Sequence, residues 1–460
     1  MLTILRVVAI AAAAVAAGGT FHVAAQTPGP DRESSAFCPR LTQEWAEDSS
    51  FSEGLEGVFF RTSTDLEQFF AVTPETVDLF SRLNEAFTAT GTDLVLIPLP
   101  TRGIVQAAYV DQANPSQAIY DRVEARAEFA MLIDQLRSAG LNVVDVLAAI
   151  EAEGAEQSFY FKRDHHWTPQ GARLAAQDAA RTIRALPSFD RLTTHEFATR
   201  KTGTAPFMTA MGYEIQRLCE RAMPAEEVEA FETARGASSA DDLLGASEQR
   251  PPVALVGSSF SATADFNFAG FLSEFTGLDV ANHAIRGAEF VGALASLVSA
   301  RDFGANRPRV VVWETPTYYE IDWLSRAAFR QIIPAIYGTC TDRDAVARSQ
   351  EMRVDGEASF FDFARGEAVG GPDQYLVFDV SEPGVEALSA SITYASGERE
   401  IVPLGNLERY RDDGRFFLSL SRDIRGPVSR VSLEGDSEGA KISARVCGAT
   451  RAQTTPGSAS

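Results

Sequence analysis

The stretch Val253-Ala-Leu-Val-Gly-Ser-Ser-Phe-Ser261 decides the fold class of this chain. Four consecutive apolar residues run directly into glycine and serine, which is typical of a buried strand that ends at a turn. Further apolar runs follow at 278–281 and 310–313, and stretches with helical periodicity, one of them at 289–300, lie between the strands. Strands that alternate with helices predict a parallel sheet covered by helices on both faces.

The same alternation begins upstream, near residue 90. Residues 94–97 and 142–146 read as strands, and apolar positions at helical spacing predict a helix over 117–138. Thr168 and Pro169 form a good N-cap and first helical residue, and Pro187 stops the helix that follows them. Sites in parallel sheets form at the carboxyl ends of strands, which is where Ser259 is expected.

After about residue 345 the pattern changes to short strands separated by Gly or Pro turns, at 375–380, 391–394, 415–420, 428–433 and 441–446. This pattern favours a small antiparallel β-sandwich. A chain of 460 residues also exceeds what one hydrophobic core usually supports. We therefore predict a signal peptide over 1–25, an α/β catalytic domain over 26–343, a β-sandwich over 344–450 and a disordered tail over 451–460.

The first 25 residues have the features of a secretory signal. Arg6 is followed by an alanine-rich apolar run over 7–18 that is too short to span a bilayer, and small residues precede Gln26. This predicts an exported, periplasmic protein, with an uncleaved signal anchor as the alternative. The net charge of −22 argues against nucleic-acid binding, because phosphates would be repelled.

The four cysteines, an even number in an exported chain, predict two disulfides with three possible pairings. We favour Cys38 with Cys219 and Cys340 with Cys447, because this keeps each bridge within one proposed domain. None of the cysteines has the spacing of a zinc site, and the histidines do not cluster with them. The sequence therefore predicts no metal and no cofactor.

A carboxylate, an imidazole and a hydroxyl form the candidate catalytic group. Asp164 stands two positions before His166 in Arg163-Asp-His-His-Trp-Thr-Pro-Gln-Gly-Ala172. In an extended segment residues i and i+2 point the same way, so Asp164 can orient His166 towards Ser259 while His165 points elsewhere. The alternative is that Ser259 only caps a helix and that Asp164 and His166 are a structural pair.

Three motifs together resemble the alginate O-acetyltransferase family of the AlgX/AlgJ type. They are the segment from Asp164 to Ala172, the later Val-Gly-Ser-Ser-Phe-Ser and the following Trp313-Glu-Thr-Pro316. The resemblance implies an SGNH hydrolase-like domain, a C-terminal carbohydrate-binding sandwich and the same two disulfides. It also implies that Ser259 is the nucleophile, His166 the base and Asp164 its orienter.

Further site residues follow from the same resemblance. Gly287 is the candidate oxyanion-hole glycine, and Asn282 is a weaker candidate; either is as easily a turn residue after a strand. Tyr319 corresponds to a substrate-facing tyrosine. Arg102 lies in a Pro-Leu-Pro-Thr-Arg-Gly motif at 98–103, where lysine is more usual.

The resemblance implies transfer of acetyl groups to hydroxyls of an exported, alginate-like polysaccharide. The expected partners are that polymer, a membrane acyltransferase that delivers the acetyl donor and proteins of a polysaccharide export complex. Arginines between 405 and 430 could bind carboxylates or could simply pair with nearby aspartates; they are Arg409, Arg411, Arg415, Arg422, Arg425 and Arg430. The alternative functions are a polysaccharide acetyl esterase and a non-catalytic polysaccharide-binding scaffold.

Overall fold

The computed structural model describes residues 37–42, 50–236, 250–354, 356–363, 369, 371, 373–381, 385, 387–405, 414–420, 426–434 and 439–449. The predicted signal peptide and C-terminal tail lie outside these residues. Among the helices of the described part, none is both long enough and apolar enough to cross a bilayer.

The strands are β1 (Phe51–Glu53), β2 (Phe59–Arg61), β3 (Asp93–Leu99), β4 (Asn142–Val143), β5 (Phe197–Phe207), β6 (Glu226–Arg235), β7 (Val253–Val256), β8 (Val280–Asn282), β9 (Val310–Pro316), β10 (Ala347–Arg348), β11 (Met352–Arg353), β12 (Ala358–Asp362), β13 (Gln374–Val380), β14 (Ala387–Tyr394), β15 (Arg399–Gly405), β16 (Arg415–Ser419), β17 (Val428–Glu434) and β18 (Lys441–Gly448). The α-helices are α1 (Pro74–Ala89), α2 (Arg102–Val105), α3 (Arg122–Ser138), α4 (Val146–Glu153), α5 (Pro169–Arg184), α6 (Ala210–Cys219), α7 (Ser259–Ala262), α8 (Phe268–Thr276), α9 (Gly292–Ser299) and α10 (Ile321–Tyr337).

A five-stranded parallel sheet forms the centre of the first region, in the order β4-β3-β9-β7-β8. Every residue of β7 and β9 is buried, which explains why these strands appear in the sequence as unbroken apolar runs. The helices pack in two groups, α1 with α9 and α10, and α4 with α5 and α8, as expected for layers on opposite faces of the sheet. The predicted α/β class is therefore confirmed.

Local signals located most of these elements correctly. Thr168 is the N-cap of α5, its hydroxyl accepts a hydrogen bond from the amide of Gly171 at 3.0 Å, and Pro169 is the first helical residue. The strand expected over 142–146 is wrong in its length. It ends at Val143, because the Asp145 side chain caps a helix that begins at Val146.

The C-terminal region contains two antiparallel sheets. One has the order β10-β18-β13-β16, with β11 also paired to β18, and the other has the order β12-β17-β14-β15. Buried side chains from both sheets, such as Phe378 and Ile392, belong to one hydrophobic cluster, so the two sheets pack face to face. The predicted antiparallel sandwich is confirmed, and β12 and β15 are strands that the sequence analysis did not identify.

Two disulfides are present, Cys38–Cys219 and Cys340–Cys447, which is the favoured pairing. The reason given for the second bridge was wrong. Cys340 lies just after α10 and Cys447 lies in β18, so this bond links the helical region to the sandwich. Arg330 of α10 strengthens the same junction, because its guanidinium binds the Glu400 carboxylate and the Ser419 carbonyl.

Candidate active site

The register of β7 against β9 positions the serine turn. Val256 is aligned with Trp313, so Gly257 lies beside Glu314 at the carboxyl edge of the sheet. A Cβ atom on Gly257 would lie 2.5 Å from Glu314 Oε2, so only glycine allows the two strands to continue side by side here. Ser259 follows as the first residue of α7 and is partly exposed.

The three predicted side chains form one continuous hydrogen-bonded chain. Ser259 Oγ lies 2.7 Å from His166 Nε2, and His166 Nδ1 lies 2.6 Å from Asp164 Oδ1. Asp164 and His166 are only 3% and 7% exposed. In the tautomer that carries its proton on Nδ1, the imidazole donates to Asp164 and Nε2 can accept the serine proton.

The backbone conformation that brings Asp164 and His166 together differs from the extended segment that the sequence predicted. Residues 162–166 form a bend and not an extended segment. Asp164 Oδ1 accepts the backbone amide of His166 at 2.9 Å in addition to its ring nitrogen. His165 does not point away, because its ring centroid lies 3.9 Å from that of His166. Burial and the nearby charges of Arg61 and His166 lower the pKa of His165.

Thr209 is a fourth member of the chain that the sequence analysis missed. It is the N-cap of α6, and its hydroxyl donates a short hydrogen bond to Asp164 Oδ2. Burial alone would raise the pKa of Asp164, but its hydrogen bonds with His166 and Thr209, together with the positive charge of His166, hold that pKa below its usual value. The carboxylate is therefore ionised whenever His166 has to become a cation.

Glu314 holds the turn that carries Ser259. Its carboxylate accepts the amide of Ser258 at 3.0 Å, the hydroxyl of Ser258 at 3.0 Å and the hydroxyl of Ser261 at 2.9 Å. Burial raises the pKa of Glu314 to about 7, against these hydrogen bonds, which lower it. Ser258 and not Ser259 is the N-cap of α7, so the hydroxyl of Ser259 is not needed to cap that helix.

A further contact joins the histidine segment to the serine turn. The indole N–H of Trp167 donates to the carbonyl of Phe260 at 3.1 Å, and Trp167 is fully buried. The ring of Phe260 lies 4.8 Å from that of His166. Trp167 therefore sets the distance between the two halves of the site, which explains the tryptophan directly after the histidine pair.

Of the two oxyanion candidates, Asn282 is the last residue of β8 and Gly287 lies in the loop after it, but neither contacts Ser259 in the described hydrogen bonds. Asn282 donates from Nδ2 to the carbonyl of Ser261 at 2.8 Å, and its Oδ1 accepts the amide of Ala284. Its amide therefore stabilises the serine turn and is not directed at an oxyanion. Gly287 has a φ of 69° and lies in the exposed loop after β8. This backbone conformation agrees with the alternative interpretation of Gly287 as a turn residue.

Arg102 is not available to a substrate. It is 2% exposed and donates to Asp65 at 3.0 Å, to the carbonyl of Phe161 at 2.8 Å and to the carbonyl of Phe59. These contacts assign it to the support of the site, so its prediction as a substrate residue was wrong. Tyr319 is partly buried three residues after β9, and its ring lies 4.7 Å from that of Tyr318.

Of the six arginines proposed to bind polysaccharide, Arg409, Arg411, Arg422 and Arg425 lie outside the described residues. Arg415 donates to the carbonyl of Ser299 at 2.9 Å, so its guanidinium faces the helical region and not an open surface of the sandwich. Arg430 pairs with Asp362 at 3.3 Å on the surface. Arg430 therefore shows paired surface charge, and Arg415 is corrected to a junction residue.

Three neighbouring residues could also bind a cation. Among the described residues, Asp164, His165 and His166 form one group whose ligand atoms lie within 4.8 Å of one another. Oδ1 of Asp164 and Nδ1 of His166 already bind each other at 2.6 Å. A metal ion would therefore have to replace the contact on which the serine–histidine chain depends.

Residues 52–317 match the family described as the SGNH hydrolase-like domain of the acetyltransferase AlgX. The chain is also 30% identical over 401 residues to the alginate biosynthesis protein AlgX of Pseudomonas putida, covering 84% of this chain and 82% of that protein. The chain belongs to the AlgX family. The resemblance inferred from the three motifs is thus confirmed.

Two further AlgX and AlgJ proteins define the extent of the similarity. The solved structure of Pseudomonas aeruginosa AlgX superimposes with a TM-score of 0.75 and 25% identity, covering 90% of this chain and 99% of that one. A probable alginate O-acetylase, AlgJ of Pseudomonas putida, is 28% identical over 290 residues, covering 58% of this chain and 71% of that protein. AlgX therefore shares the fold of both regions of this chain.

Proposed function

We propose that this AlgX-family protein is an O-acetyltransferase that moves acetyl groups onto hydroxyls of an exported, alginate-like polysaccharide. The observation that carries the proposal is the hydrogen-bonded chain from Ser259 through His166 to Asp164, with distances of 2.7 Å and 2.6 Å. A serine with such a base beside it can hold an acyl group covalently. The printed names of the AlgX and AlgJ relatives support alginate as the class of acceptor.

In the first step Ser259 Oγ attacks the carbonyl carbon of the acetyl donor while His166 Nε2 takes the hydroxyl proton. Asp164 remains ionised and stabilises the imidazolium. When the tetrahedral intermediate collapses, the bond to the leaving group breaks and His166 returns the proton to that group. The amide of Ser259, at the start of α7, is our candidate donor to the oxyanion.

In the second step a sugar hydroxyl attacks the acetyl-serine ester, and His166 takes its proton. Collapse of this second intermediate breaks the ester bond to Ser259 and returns the proton to Ser259 Oγ. The product is an acetylated sugar and free enzyme. Water could take the place of the sugar hydroxyl, so acceptor positioning determines transfer over hydrolysis.

The location and partners belong to the same proposal. We assign the protein to the periplasm, with residues 1–25 as its export signal, and residues 26–343 and 344–450 as catalytic and carbohydrate-binding domains. The two disulfides support an oxidising compartment. A membrane acyltransferase would supply the acetyl donor, and proteins of a polysaccharide export complex would deliver the polymer.

Mass spectrometry of mannuronate oligomers tests this proposal. Oligomers are incubated with a small activated acetyl ester and either wild-type protein or Ser259→Ala. We expect a mass increase of one acetyl group with the wild type and none with Ser259→Ala. Free acetate without acetylated oligomer would identify an esterase. If the wild-type protein formed neither acetylated oligomer nor free acetate but still bound the polymer, it would be identified as a non-catalytic scaffold.

A further inference from the structure

Arg61 lies beside the candidate active site although the function described so far does not use it. It ends β2, and the amide of Phe59 in that strand donates to the carbonyl of Lys162 at 2.9 Å. The strand therefore runs next to the segment that carries the histidine pair. The charge of Arg61 also contributes, after burial, to the lowered pKa of His165, whose ring stacks on His166.

A local excess of positive charge exists at this position. The Asp65 carboxylate binds Arg61 Nε at 2.9 Å and one terminal nitrogen of Arg61 at 2.7 Å, and it also binds Arg102 at 3.0 Å. Burial would raise the pKa of Asp65, but Arg61 and Arg102 hold it low, so Asp65 is ionised. One negative charge shared by two guanidinium groups leaves the cluster with a net charge of +1.

Only one of the two arginines can present this charge to a ligand. The side chain of Arg102 is 2% exposed, whereas that of Arg61 is 20% exposed. The Arg61 guanidinium also stacks over the ring of Tyr318 at 4.5 Å from its centroid. Arg61 is therefore held between a carboxylate and an aromatic face, and little side-chain freedom remains to be lost when an anion binds.

Two phenol groups extend from Arg61 along the carboxyl edge of the sheet. Burial raises the pKa of Tyr318, while the charge of Arg61 and hydrogen bonds with Arg61 and Tyr319 act against that rise. Burial also raises the pKa of Tyr319. Both phenols are thus neutral hydrogen-bond donors near neutral pH, so Arg61 and the tyrosine pair offer charge and donors to one carboxylate.

We propose that Arg61 binds the carboxylate of the uronate unit that receives the acetyl group. This inference rests on the proposed function and deepens it, because it names the group on the acceptor that the site recognises. A carboxylate paired with Arg61 would fix the sugar ring so that a ring hydroxyl faces His166 and the acetylated Ser259. Arg61 is in this sense a specificity-determining residue.

The test compares two acceptors of equal length, mannuronate oligomers and the same oligomers with their carboxyl groups reduced to alcohols. Acetyl transfer from a small activated ester is followed by mass spectrometry for wild type, Arg61→Gln and Arg61→Lys. We expect Arg61→Gln to lower kcat/KM for the uronate acceptor about 10–100-fold, mainly through KM, since a charge-assisted hydrogen bond is lost. For the reduced acceptor, Arg61→Gln should lower kcat/KM by no more than about threefold. With the uronate acceptor, the kcat/KM of Arg61→Lys should lie between those of wild type and Arg61→Gln.

Arg200→Gln is the matched control. Arg200 pairs with Glu232 at 2.7 Å, and its side chain is 75% exposed on the β5–β6 hairpin. Arg200→Gln should leave kcat/KM unchanged for both acceptors. Equal falls for both acceptors with Arg61→Gln would overturn the inference, because Arg61 would then support the site without recognising the carboxylate. No fall for either acceptor would overturn it as well.

A binding measurement separates this inference from the proposed function. Calorimetry with mannuronate oligomers is carried out on Ser259→Ala and on the double variant with Arg61→Gln, neither of which needs activity. We expect affinity to drop at least tenfold in the double variant. If wild type transferred no acetyl group but this drop occurred, the proposed function would fail and carboxylate recognition by Arg61 would stand. Equal affinities would refute Arg61 recognition whatever the activity.

Discussion

Asp164 binds His166 twice, since one carboxylate oxygen accepts both the backbone amide and the ring nitrogen of that histidine, at 2.9 Å and 2.6 Å. The bend of the chain and the orientation of the imidazole therefore have a single cause. Any change at Asp164 acts on both, and its effects on charge and on shape have to be separated by the choice of substitution.

Asp164→Asn removes the charge and keeps the shape. Its amide oxygen can still accept from His166, and its NH2 group can face the hydroxyl of Thr209. Without the carboxylate the imidazolium is no longer stabilised, so we expect kcat for acetyl-ester turnover to fall on the order of 10³-fold. Stopped-flow hydrolysis of an aryl acetate measures this. If kcat fell by less than about tenfold while the melting temperature stayed the same, Asp164 would not be the residue that orients His166.

Thr209→Val removes the second hydrogen bond of Asp164 at nearly constant volume. We expect kcat to fall about tenfold, because the carboxylate that orients His166 loses one of its hydrogen-bond donors. Thr209→Ser retains the hydroxyl and should restore kcat. Thr202→Val, on the exposed β5–β6 hairpin, is the matched control. An unchanged kcat in Thr209→Val would leave Thr209 with only its helix-capping role.

Glu314 should make stability depend on pH. Its pKa is about 7 in the folded protein against an ordinary 4.5, so the folded state holds a proton that the unfolded state has released. The stabilisation is complete below about pH 4.5 and is lost as the pH rises through 7, by up to about 3 kcal/mol. Glu314→Gln has no carboxyl group to titrate and so lacks this loss of stability with rising pH. Its unfolding free energy minus that of wild type should therefore increase from pH 5 to pH 8.

Denaturant unfolding at pH 5, 6, 7 and 8 measures that difference. Glu227→Gln, at an exposed position of β6, is the control: its unfolding free energy should differ from that of wild type by the same amount at every pH. A constant difference between wild type and Glu314→Gln across this range would show that Glu314 does not titrate there. In that case its carboxylate would only hold Ser258 and Ser261 in place.

Arg102→Met should be a stability variant. The substitution removes the nearer of the two donors to the buried carbonyl of Phe161, since Gln106 Nε2 lies 3.4 Å from the same oxygen, and it leaves Asp65 with Arg61 alone. We expect the free energy of unfolding to fall by about 3–5 kcal/mol, the range for breaking a buried ion pair. Arg217→Met, at an exposed i,i+3 pair with Glu214, should change it by less than about 0.5 kcal/mol. A small effect of Arg102→Met on stability but a large one on KM would return Arg102 to the substrate site.

Signals that act over a few residues could be read from the sequence. Thr168 and Pro169 are a favourable N-cap and first residue for the helical pattern that follows them, and the unbroken apolar run from Val253 to Val256 favours a strand with both faces buried. The proximity of Ser259, His166 and Asp164 could also be predicted, because an acid two positions before an imidazole and a hydroxyl at a strand end are the parts of an activated serine.

Contacts between distant segments could not be read in this way. Nothing near Thr209 indicates that α6 directs its first turn at Asp164, and nothing near Arg61 indicates that β2 runs along the histidine segment. Glu314 was visible in the Trp-Glu-Thr-Pro motif, but its role depends on the alignment of β9 with β7. The error at Arg102 has the same origin, since burial of an arginine follows from which chains surround it.

The Cys38–Cys219 bond spans 181 residues and closes on the last residue of the helix whose first turn binds Asp164. This disulfide therefore anchors a helix that supports the position of Asp164. Under the proposed function, a newly made chain would reach its full rate of acetyl transfer only after the bond has formed. The proposed export would then separate the working transferase from the acetyl donors of the cytosol, because the bond persists only in an oxidising compartment.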